Sequence, residues 1–331
     1  MFFYFSDETK RARSAFKVRS KEMKTAFVFS GQGAQYFGMG KELFDQEEIV
    51  RETFQEASDV LGYDMAELCF TENDRLNETM YTQPAILTVS IAFYRLLQQK
   101  GYQPNIVAGL SLGEYSALVA SGAISFKEAV QLVAKRGKFM AEAAPTGTGK
   151  MVAVMNADRS LIEECCKEAS AFGIVSPANY NTPQQIVIGG ETPAVDKAVE
   201  LLTEAGVKRM IPLNVSGPFH TALLNPASEK LAIELEKINF TEMTIPVISN
   251  TTAQVMEQTE IKSLLEKQVM SAVRFADSIE TIKKMNVDVI IEVGPGKTLT
   301  GFIKKIDKEI KTARVEDEKT LSETEALLNG R

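Results

Sequence analysis

Histidine and cysteine are scarce in this sequence: its 331 residues include one His and three Cys. Cys69, Cys165 and Cys166 give neither an even set for disulfides nor the CxxC spacing of a metal site. We therefore expect no bound metal and a reducing, cytoplasmic location. Any catalytic step that uses a histidine base must use His220, because the chain has no other.

Long apolar runs and excess positive charge are also missing. No stretch approaches the roughly 20 apolar residues that span a bilayer, so we expect no membrane segment. The formal net charge of −7 argues against nucleic-acid binding, which depends on Lys and Arg. The opening MFFYFS precedes basic residues, the reverse of a secretory signal. Residues 1–22 are either an N-terminal extension or a start assigned too early, with Met23 as the true start.

The hydrophobic share of 44% and the charged share of 24% are those of a globular protein. Because single cores stop growing near roughly 250–300 residues, we expect two compact units. The apolar runs KTAFVFS (24–30) and NIVAGL (105–110) predict buried strands, with helical periodicity between them. We expect an α/β fold of the α/β-hydrolase type, with a parallel sheet in the larger unit.

The order of the predicted elements changes near residue 150. Strand, helix, two strands, helix and strand follow within about 65 residues, the βαββαβ order of ferredoxin-like domains. Strands are then predicted at 245–249 and 287–293, a helix at 260–272, and another opening at GPGKTL. The expected units are a large catalytic subdomain at 23–147 and 215–314, a small inserted subdomain at 148–214, and an acidic tail at 315–331, helical or partly disordered.

The stretch AGLSLGEYSALVASG carries the pattern GxSxG, centred on Ser111. A GxSxG match alone is weak, but here a strand run precedes it and a helix follows. That context favours a nucleophile on a tight turn over an ordinary loop serine. The following N–H, from Leu112, would then point to where an oxyanion forms.

A serine nucleophile needs a base within hydrogen-bond reach. His220 lies in NVSGPFHTALL, a Gly- and Pro-containing turn after a strand, and such turns often carry catalytic groups. No Asp or Glu lies in a motif that marks it as the acid of a triad, so a main-chain carbonyl could orient the ring equally well.

One charge falls on an apolar helix face. Ser125 and Glu128 form an SxxE capping box, which predicts a helix to about Ala144. On that helix, Arg136 shares a face with apolar residues. A buried guanidinium needs an anion, either a structural Asp or Glu or the carboxylate of a substrate.

The glycine turn GQGAQ (31–35) lacks the last glycine of a dinucleotide fingerprint, and neither TGTGK nor GPGKT has the spacing of a P-loop. We expect the turn GQGAQ to form the second half of an oxyanion hole. For GPGKT, a plain strand-to-helix turn with no functional role is as good an interpretation as a functional turn.

These motifs together resemble the malonyl-CoA:acyl carrier protein transacylase family of fatty-acid synthesis over residues 24 to about 310. The resemblance rests on FSGQGAQ, GLSLGEYSAL, an arginine 25 residues after the serine, GPFH and EVGPGKTLTGF. It implies Ser111 as acyl acceptor, His220 as base and Arg136 as ligand of the malonyl carboxylate. It also implies Gln32 and Leu112 as oxyanion donors.

The resemblance further implies that the main-chain carbonyl of Gln268 orients His220. Many relatives have histidine where this chain has Leu110. Phe219 resembles the malonyl-selective form of related acyltransferase domains. No cofactor is expected, since CoA and phosphopantetheine are parts of the substrates. The expected partners are malonyl-CoA and acidic holo acyl carrier protein, with Lys297, Lys304 and Lys305 as docking candidates, and the chain is expected to be a monomer.

Two other functions remain open. A serine thioesterase or esterase would use the same Ser-His pair with water as the acceptor. A non-catalytic docking module for acyl carriers would tolerate the loss of both residues.

Overall fold

The computed structural model describes residues 23–145, 147–214 and 217–330, and the predicted N-terminal extension lies outside them. Within these residues the strands are β1 Thr25–Phe29, β2 Ile106–Gly109, β3 Lys150–Met155, β4 Val175–Thr182, β5 Gln185–Gly190, β6 Arg209–Pro212, β7 Val289–Val293 and β8 Thr312–Val315. The helices are α1 Lys41–Gln46, α2 Glu48–Leu61, α3 Met65–Phe70, α4 Thr79–Gln99, α5 Gly113–Ala120, α6 Phe126–Ala143, α7 Arg159–Ala169, α8 Thr192–Glu204, α9 Asn225–Glu236, α10 Ile261–Gln268, α11 Phe275–Lys284, α12 Thr298–Ile306 and α13 Glu318–Leu328.

The larger sheet is parallel, in the order β2-β1-β7-β8. Every residue of β1 and β7 is buried, because apolar clusters cover both faces of the sheet. Along β1, Phe27 and Phe29 join one cluster, whereas Ala26 and Val28 join the other. Burial on both faces explains why these strands are mostly apolar and do not alternate with polar residues, with Glu292 of β7 as a buried exception. The predicted mixed α/β fold with a parallel sheet is confirmed.

The second sheet is antiparallel, in the order β4-β5-β3-β6. Along the chain its elements follow as β3, α7, β4, β5, α8 and β6. Val152 and Val154 pack with residues of α7 and α8 on one face. Met151, Ala153 and Val187 on the other face join the main core of the molecule. The second sheet therefore covers the larger unit instead of standing apart from it.

The strand predicted at 245–249 is wrong. The segment makes an isolated parallel bridge from Val247 to Val107 and an antiparallel bridge from Ile248 to Val255. The N–H of Val107 donates to the carbonyl of Pro246, and the N–H of Ile248 donates to Val107. Pro246 has no N–H to extend the ladder, so pairing at this edge of the sheet stays short.

One helix boundary and one strand also differ from the predictions. The helix predicted at 260–272 ends at Gln268, whose main-chain oxygen accepts a hydrogen bond from His220. In the C-terminal region, β8 was not predicted because TARV is short and only partly buried. The tail continues as α13, where Leu321 and Thr324 are buried. Within the described residues, no helix is long and apolar enough to cross a membrane.

Candidate active site

Three glycine turns meet at one edge of the parallel sheet. They follow β1, β2 and β7 at the carboxyl ends of the strands, where open α/β sheets place their ligands. A cavity of about 780 Å³ opens there, lined by Gln32, Ser111 and His220, by Met151 of the second sheet, and by Phe302 of α12. The site therefore lies between the two sheets.

Ser111 occupies a tight turn between β2 and α5, as the GxSxG pattern predicts. Its φ of 54° is in the left-handed region, which a non-glycine residue adopts only when its surroundings enforce it. A Cβ at Gly113 would lie 2.1 Å from the carbonyl oxygen of Phe29, so no side chain fits there. The turn can pack against β1 only because residue 113 is glycine.

The hydroxyl of Ser111 meets the imidazole of His220. The distance from Ser111 Oγ to His220 Nε2 is 2.8 Å, and that from His220 Nδ1 to the carbonyl oxygen of Gln268 is 2.9 Å. Since a carbonyl can only accept, Nδ1 carries the proton and Nε2 of the neutral ring faces the hydroxyl as an acceptor. A carbonyl thus stands where a triad would have its acid.

His220 is buried, and burial lowers the pKa of its imidazole to about 4, with the nearby charge of Arg136 adding to the effect. The ring is therefore neutral at neutral pH, the form that accepts a proton. The φ of His220 is 61°, also left-handed, so both members of the pair are held in uncommon backbone conformations.

Arg136 of α6 is buried to 1% exposure. Its Nη1 donates to Gln83 Oε1 at 2.7 Å, and its Nη2 donates to Ser111 Oγ at 3.1 Å and to Gln268 Oε1 at 3.0 Å. These acceptors are amides and a hydroxyl, and no ion pair with an Asp or Glu of the described residues accompanies them. Burial lowers the pKa of the guanidinium. The structural ion pair left open by the sequence is not observed, so among the described residues the buried cation has no direct ion-pair partner.

The turn after β1 touches the turn of the serine. A Cβ at Gly31 would lie 2.3 Å from the carbonyl oxygen of Leu110, so the two turns approach each other closely only because Gly31 has no side chain. Gln32 is held by a bond from its Nε2 to Thr79 Oγ1 at 3.1 Å. In the part of the chain that the structure describes, neither the main-chain N–H of Gln32 nor that of Leu112 donates a hydrogen bond to another residue.

Phe219 and Leu110 complete the cavity wall near the serine. Phe219 is 8% exposed and belongs to the main core cluster. The structure thus brings together Ser111, His220, Arg136, Gln268, Gln32, Leu112 and Phe219, all of which the sequence analysis had singled out.

Three polar residues of the site escaped the sequence analysis. Gln83 of α4 accepts from Arg136, and Asn250 accepts the N–H of Ser111 at 2.6 Å. Glu114 is fully buried beside the turn. Gln83 lies in α4 directly before the apolar run 84–87, a position that could have marked it. Asn250 follows the segment mistaken for a strand, and nothing in its local sequence distinguishes it.

A parallel α/β sheet with a serine hydroxyl bonded to a neutral imidazole at a strand-to-helix turn is typical of enzymes that act through an acyl-serine. Comparison with known proteins narrows this class. The family model described as the acyl transferase domain matches residues 26–321.

Individual relatives agree. A malonyl CoA-acyl carrier protein transacylase of Bacillus subtilis (strain 168) is 45% identical over 301 residues, which cover 90% of this chain and 95% of that protein. The crystal structure of MCAT from Streptococcus pneumoniae is 59% identical, with a TM-score of 0.90, covering 93% of this chain and 100% of that one. A malonyl-transacylase solved in complex with its type II PKS acyl-carrier protein is 43% identical, with a TM-score of 0.89 and coverage of 93% and 100%. The chain belongs to the acyl transferase family, among the malonyl CoA-acyl carrier protein transacylases.

Proposed function

We propose that this acyltransferase moves the malonyl group of malonyl-CoA to the phosphopantetheine thiol of acyl carrier protein. One observation carries the proposal: Ser111 Oγ lies 2.8 Å from His220 Nε2 and 3.1 Å from Arg136 Nη2. The oxygen that would receive the acyl group thus lies beside a base and beside a buried cation that has no direct ion-pair partner among the described residues. The relatives named above support malonyl-CoA and a carrier protein as the two substrates.

In the first half-reaction, His220 takes the proton of Ser111 as Oγ attacks the thioester carbonyl. The N–H groups of Gln32 and Leu112 hold the resulting oxyanion. The tetrahedral intermediate then expels CoA, whose sulfur takes the proton back from His220, and a malonyl ester remains on Ser111. The malonyl carboxylate pairs with Arg136 and takes the place of the contact that Nη2 makes with Ser111 Oγ in the free site, while the contacts with Gln83 and Gln268 remain.

In the second half-reaction, the carrier's thiol enters in place of CoA. His220 removes the thiol proton, the sulfur attacks the ester, and the proton passes to Ser111 Oγ as the ester bond breaks. The main-chain carbonyl of Gln268 keeps the imidazole in the required tautomer throughout. Phe219, in the cavity wall beside His220, would restrict the acyl group to malonyl. The chain's own residues supply every group that this mechanism uses, so we propose no cofactor.

The same proposal divides the chain functionally. Residues 23–147 and 215–314 would form an α/β-hydrolase-like catalytic subdomain. Residues 148–214 would form a ferredoxin-like insertion that covers the cavity. The antiparallel sheet order and the contribution of Met151 to the cavity support this division. That the chain works as a monomer stays a prediction.

The main alternative is a hydrolase, in which water takes the acyl group. Arg136 favours transfer of a carboxylate-bearing group, and substitution of this residue tests the proposal. In Arg136→Ala we expect malonyl transfer to holo carrier protein to fall roughly 100-fold, because a buried charge partner is lost. Acetyl transfer should fall less or rise, as the neutral acyl group does not need the cation.

Both rates are measured by the formation of acylated carrier from malonyl-CoA or acetyl-CoA. Lys135→Ala is the matched control, since Lys135 lies on the same helix but at the surface, paired with Glu234. Its ratio of malonyl to acetyl transfer should equal that of the parent. Equal malonyl transfer rates in Arg136→Ala and the parent would contradict the proposed pairing of Arg136 with the malonyl carboxylate. Release of free malonate without acylated carrier would favour the hydrolase.

A further inference from the structure

Glu114 is a buried acid that the mechanism above does not use. It lies in the first turn of α5, directly after the turn of Ser111, and its exposure is 0%. Glu292 of β7 is equally buried, but it accepts the N–H groups of Leu299 and Thr300 at the start of α12, which accounts for it. Glu114 makes no comparable helix cap, so its role needs another explanation.

Both carboxylate oxygens of Glu114 have hydrogen-bond donors. Oε1 accepts the main-chain N–H of Asn250 at 3.2 Å, and Oε2 accepts a hydrogen bond from Gln268 Nε2. The closest cation that acts on it is Arg136, which is joined to Glu114 through the side-chain amide of Gln268. The carboxylate and the guanidinium therefore interact through a shared amide and not as a direct pair.

The two donors are the residues that hold the nucleophile. Asn250 Oδ1 accepts the N–H of Ser111 at 2.6 Å, and Asn250 Nδ2 donates to the carbonyl of Gly109 at 2.6 Å. Gln268 Nε2 also donates to the carbonyl of Ser111 at 2.8 Å, while the main-chain oxygen of Gln268 accepts from His220. Glu114 thus accepts hydrogen bonds from both residues, Asn250 and Gln268, that hold the turn of Ser111 in place.

The orientation of the Gln268 amide depends on Glu114. Its NH₂ group faces two acceptors, Glu114 Oε2 and the carbonyl of Ser111. This leaves its oxygen directed at Arg136. Rotating the amide by 180° would place its oxygen against two acceptors and its NH₂ against a guanidinium, and both contacts are unfavourable. A neutral Glu114 could donate a proton and remove one of these penalties.

We propose that Glu114 is a positioning residue for malonyl transfer: as a carboxylate, it fixes the side-chain amide of Gln268 and thereby holds the Arg136 guanidinium beside Ser111, in the position from which it pairs with the malonyl carboxylate. The inference rests on the proposed function. It assigns a role to an acid that contacts neither substrate nor the reacting atoms and acts through Gln268.

The ionisation of Glu114 falls in an accessible range. Burial raises the pKa of its carboxyl group to about 7, against the lowering effects of Asn250, Gln268 and Arg136. The other charged or titratable groups of this network are Arg136 from α6, Tyr115 from α5 and His220. Burial raises the pKa of Tyr115 to about 12 and lowers that of His220 to about 4, so neither changes charge near pH 7.

The test compares two acyl groups over pH. CoA release is measured in the absence of carrier, with malonyl-CoA and with acetyl-CoA, from pH 5.5 to 8.5. The ratio of the two rates removes effects that both substrates share, including protonation of His220. We expect this ratio to fall by up to about 30-fold from pH 8.5 to 5.5, because about 3% of a group with a pKa near 7 stays ionised at pH 5.5.

Two variants identify the group responsible. Glu114→Gln should give a low ratio that no longer varies with pH, whereas Glu292→Gln, which loses the other buried carboxylate, should follow the parent. A flat ratio in the parent would overturn the proposal, as would a parent-like pH dependence in Glu114→Gln or its loss in Glu292→Gln. If Glu114→Gln fails to fold, the parent and Glu292→Gln still decide. Absence of malonyl acylation at every pH would instead overturn the proposed function.

Discussion

The chemistry of His220 is set by its surroundings more than by its intrinsic basicity. Burial, and then the charge of Arg136, disfavour the protonated ring, while the carbonyl of Gln268 holds the proton of the neutral ring on Nδ1. A histidine with an ordinary pKa near 6.5 would be partly protonated, and so partly inactive as a base, in mildly acidic solution. His220 avoids this loss because burial, and then the charge of Arg136, lower its pKa to about 4.

This environment predicts how low the pH can fall before acetyl transfer to Ser111 slows down. With a pKa of about 4, His220 stays neutral as the pH falls from 8 to about 5, so the rate of CoA release from acetyl-CoA should be nearly constant over that range. The rate should decline only as the pH approaches 4. A half-maximal rate near pH 6.5 would show that the imidazole is more solvated than its burial indicates.

The same shift predicts how stability depends on pH. The folded pKa of His220 lies below its unfolded value, so the unfolded state binds the extra proton first. The contribution of His220 to stability is therefore full above about pH 6.5 and decreases as the pH falls from there towards 4.

At the scale of one element, α6 links a local sequence pattern to the active site. Its capping box, predicted from SxxE, is present: Ser125 Oγ accepts the N–H of Glu128 at 3.3 Å, and the Glu128 carboxylate accepts the N–H of Ser125 at 3.4 Å. The helix ends at Ala143, close to the predicted end. Its buried face carries Arg136, and the register of that face is fixed by apolar residues on the same stripe.

Ser125→Ala should lower the free energy of unfolding by about 1 kcal/mol, because the N–H of Glu128 loses its acceptor. The measurement is urea denaturation followed by circular dichroism. Ser125→Asp is the matched control and should stay near the parent, since Asp is an equally good N-cap residue. A loss as large in Ser125→Asp as in Ser125→Ala would show that the cap is not what Ser125 contributes.

The elements that depend on local residues could be predicted from the sequence, and those that depend on distant contacts could not. The strands β1, β2 and β7, the elbow and the cap of α6 depend on local runs of residues, and each was predictable. The segment at 245–249 has the composition of a strand, yet its pairing depends on Pro246 and on an edge position that only the assembled sheet defines. Glu114 and Asn250 were missed for a related reason: their roles come from contacts with residues more than a hundred positions away.

At the scale of the whole molecule, the cavity exists because two sheets of different type face each other. The parallel sheet supplies the turns that carry Gln32 and Ser111, and the antiparallel sheet supplies Met151 and Val187. Helix α12 closes another side with Leu299 and Phe302. Its exposed lysines therefore lie on an element that borders the cavity.

Lys304 and Lys305 are exposed in the last turn of α12. We expect an acidic carrier protein to dock against this helix, whose Leu299 and Phe302 line the cavity, so the double change Lys304→Glu and Lys305→Glu should raise the KM for holo carrier protein several-fold. The effect should grow at low salt, because screening is weaker there. CoA release from malonyl-CoA without carrier should stay unchanged.

Lys127→Glu is the control for a charge reversal away from this site, since Lys127 is exposed on α6 and does not line the cavity of Ser111. Its KM for the carrier should match that of the parent. A double variant with an unchanged KM would place the docking surface elsewhere.

The central claim is that Ser111 carries the malonyl group between two thiols. Mass spectrometry of the intact protein after brief incubation with malonyl-CoA alone tests it directly, followed by peptide mapping and by addition of holo carrier protein. We predict one malonyl group on Ser111, stable without carrier and lost to the carrier when it is added, with no adduct in Ser111→Ala. Steady release of malonate with no adduct, or an adduct that persists in Ser111→Ala, would contradict the claim.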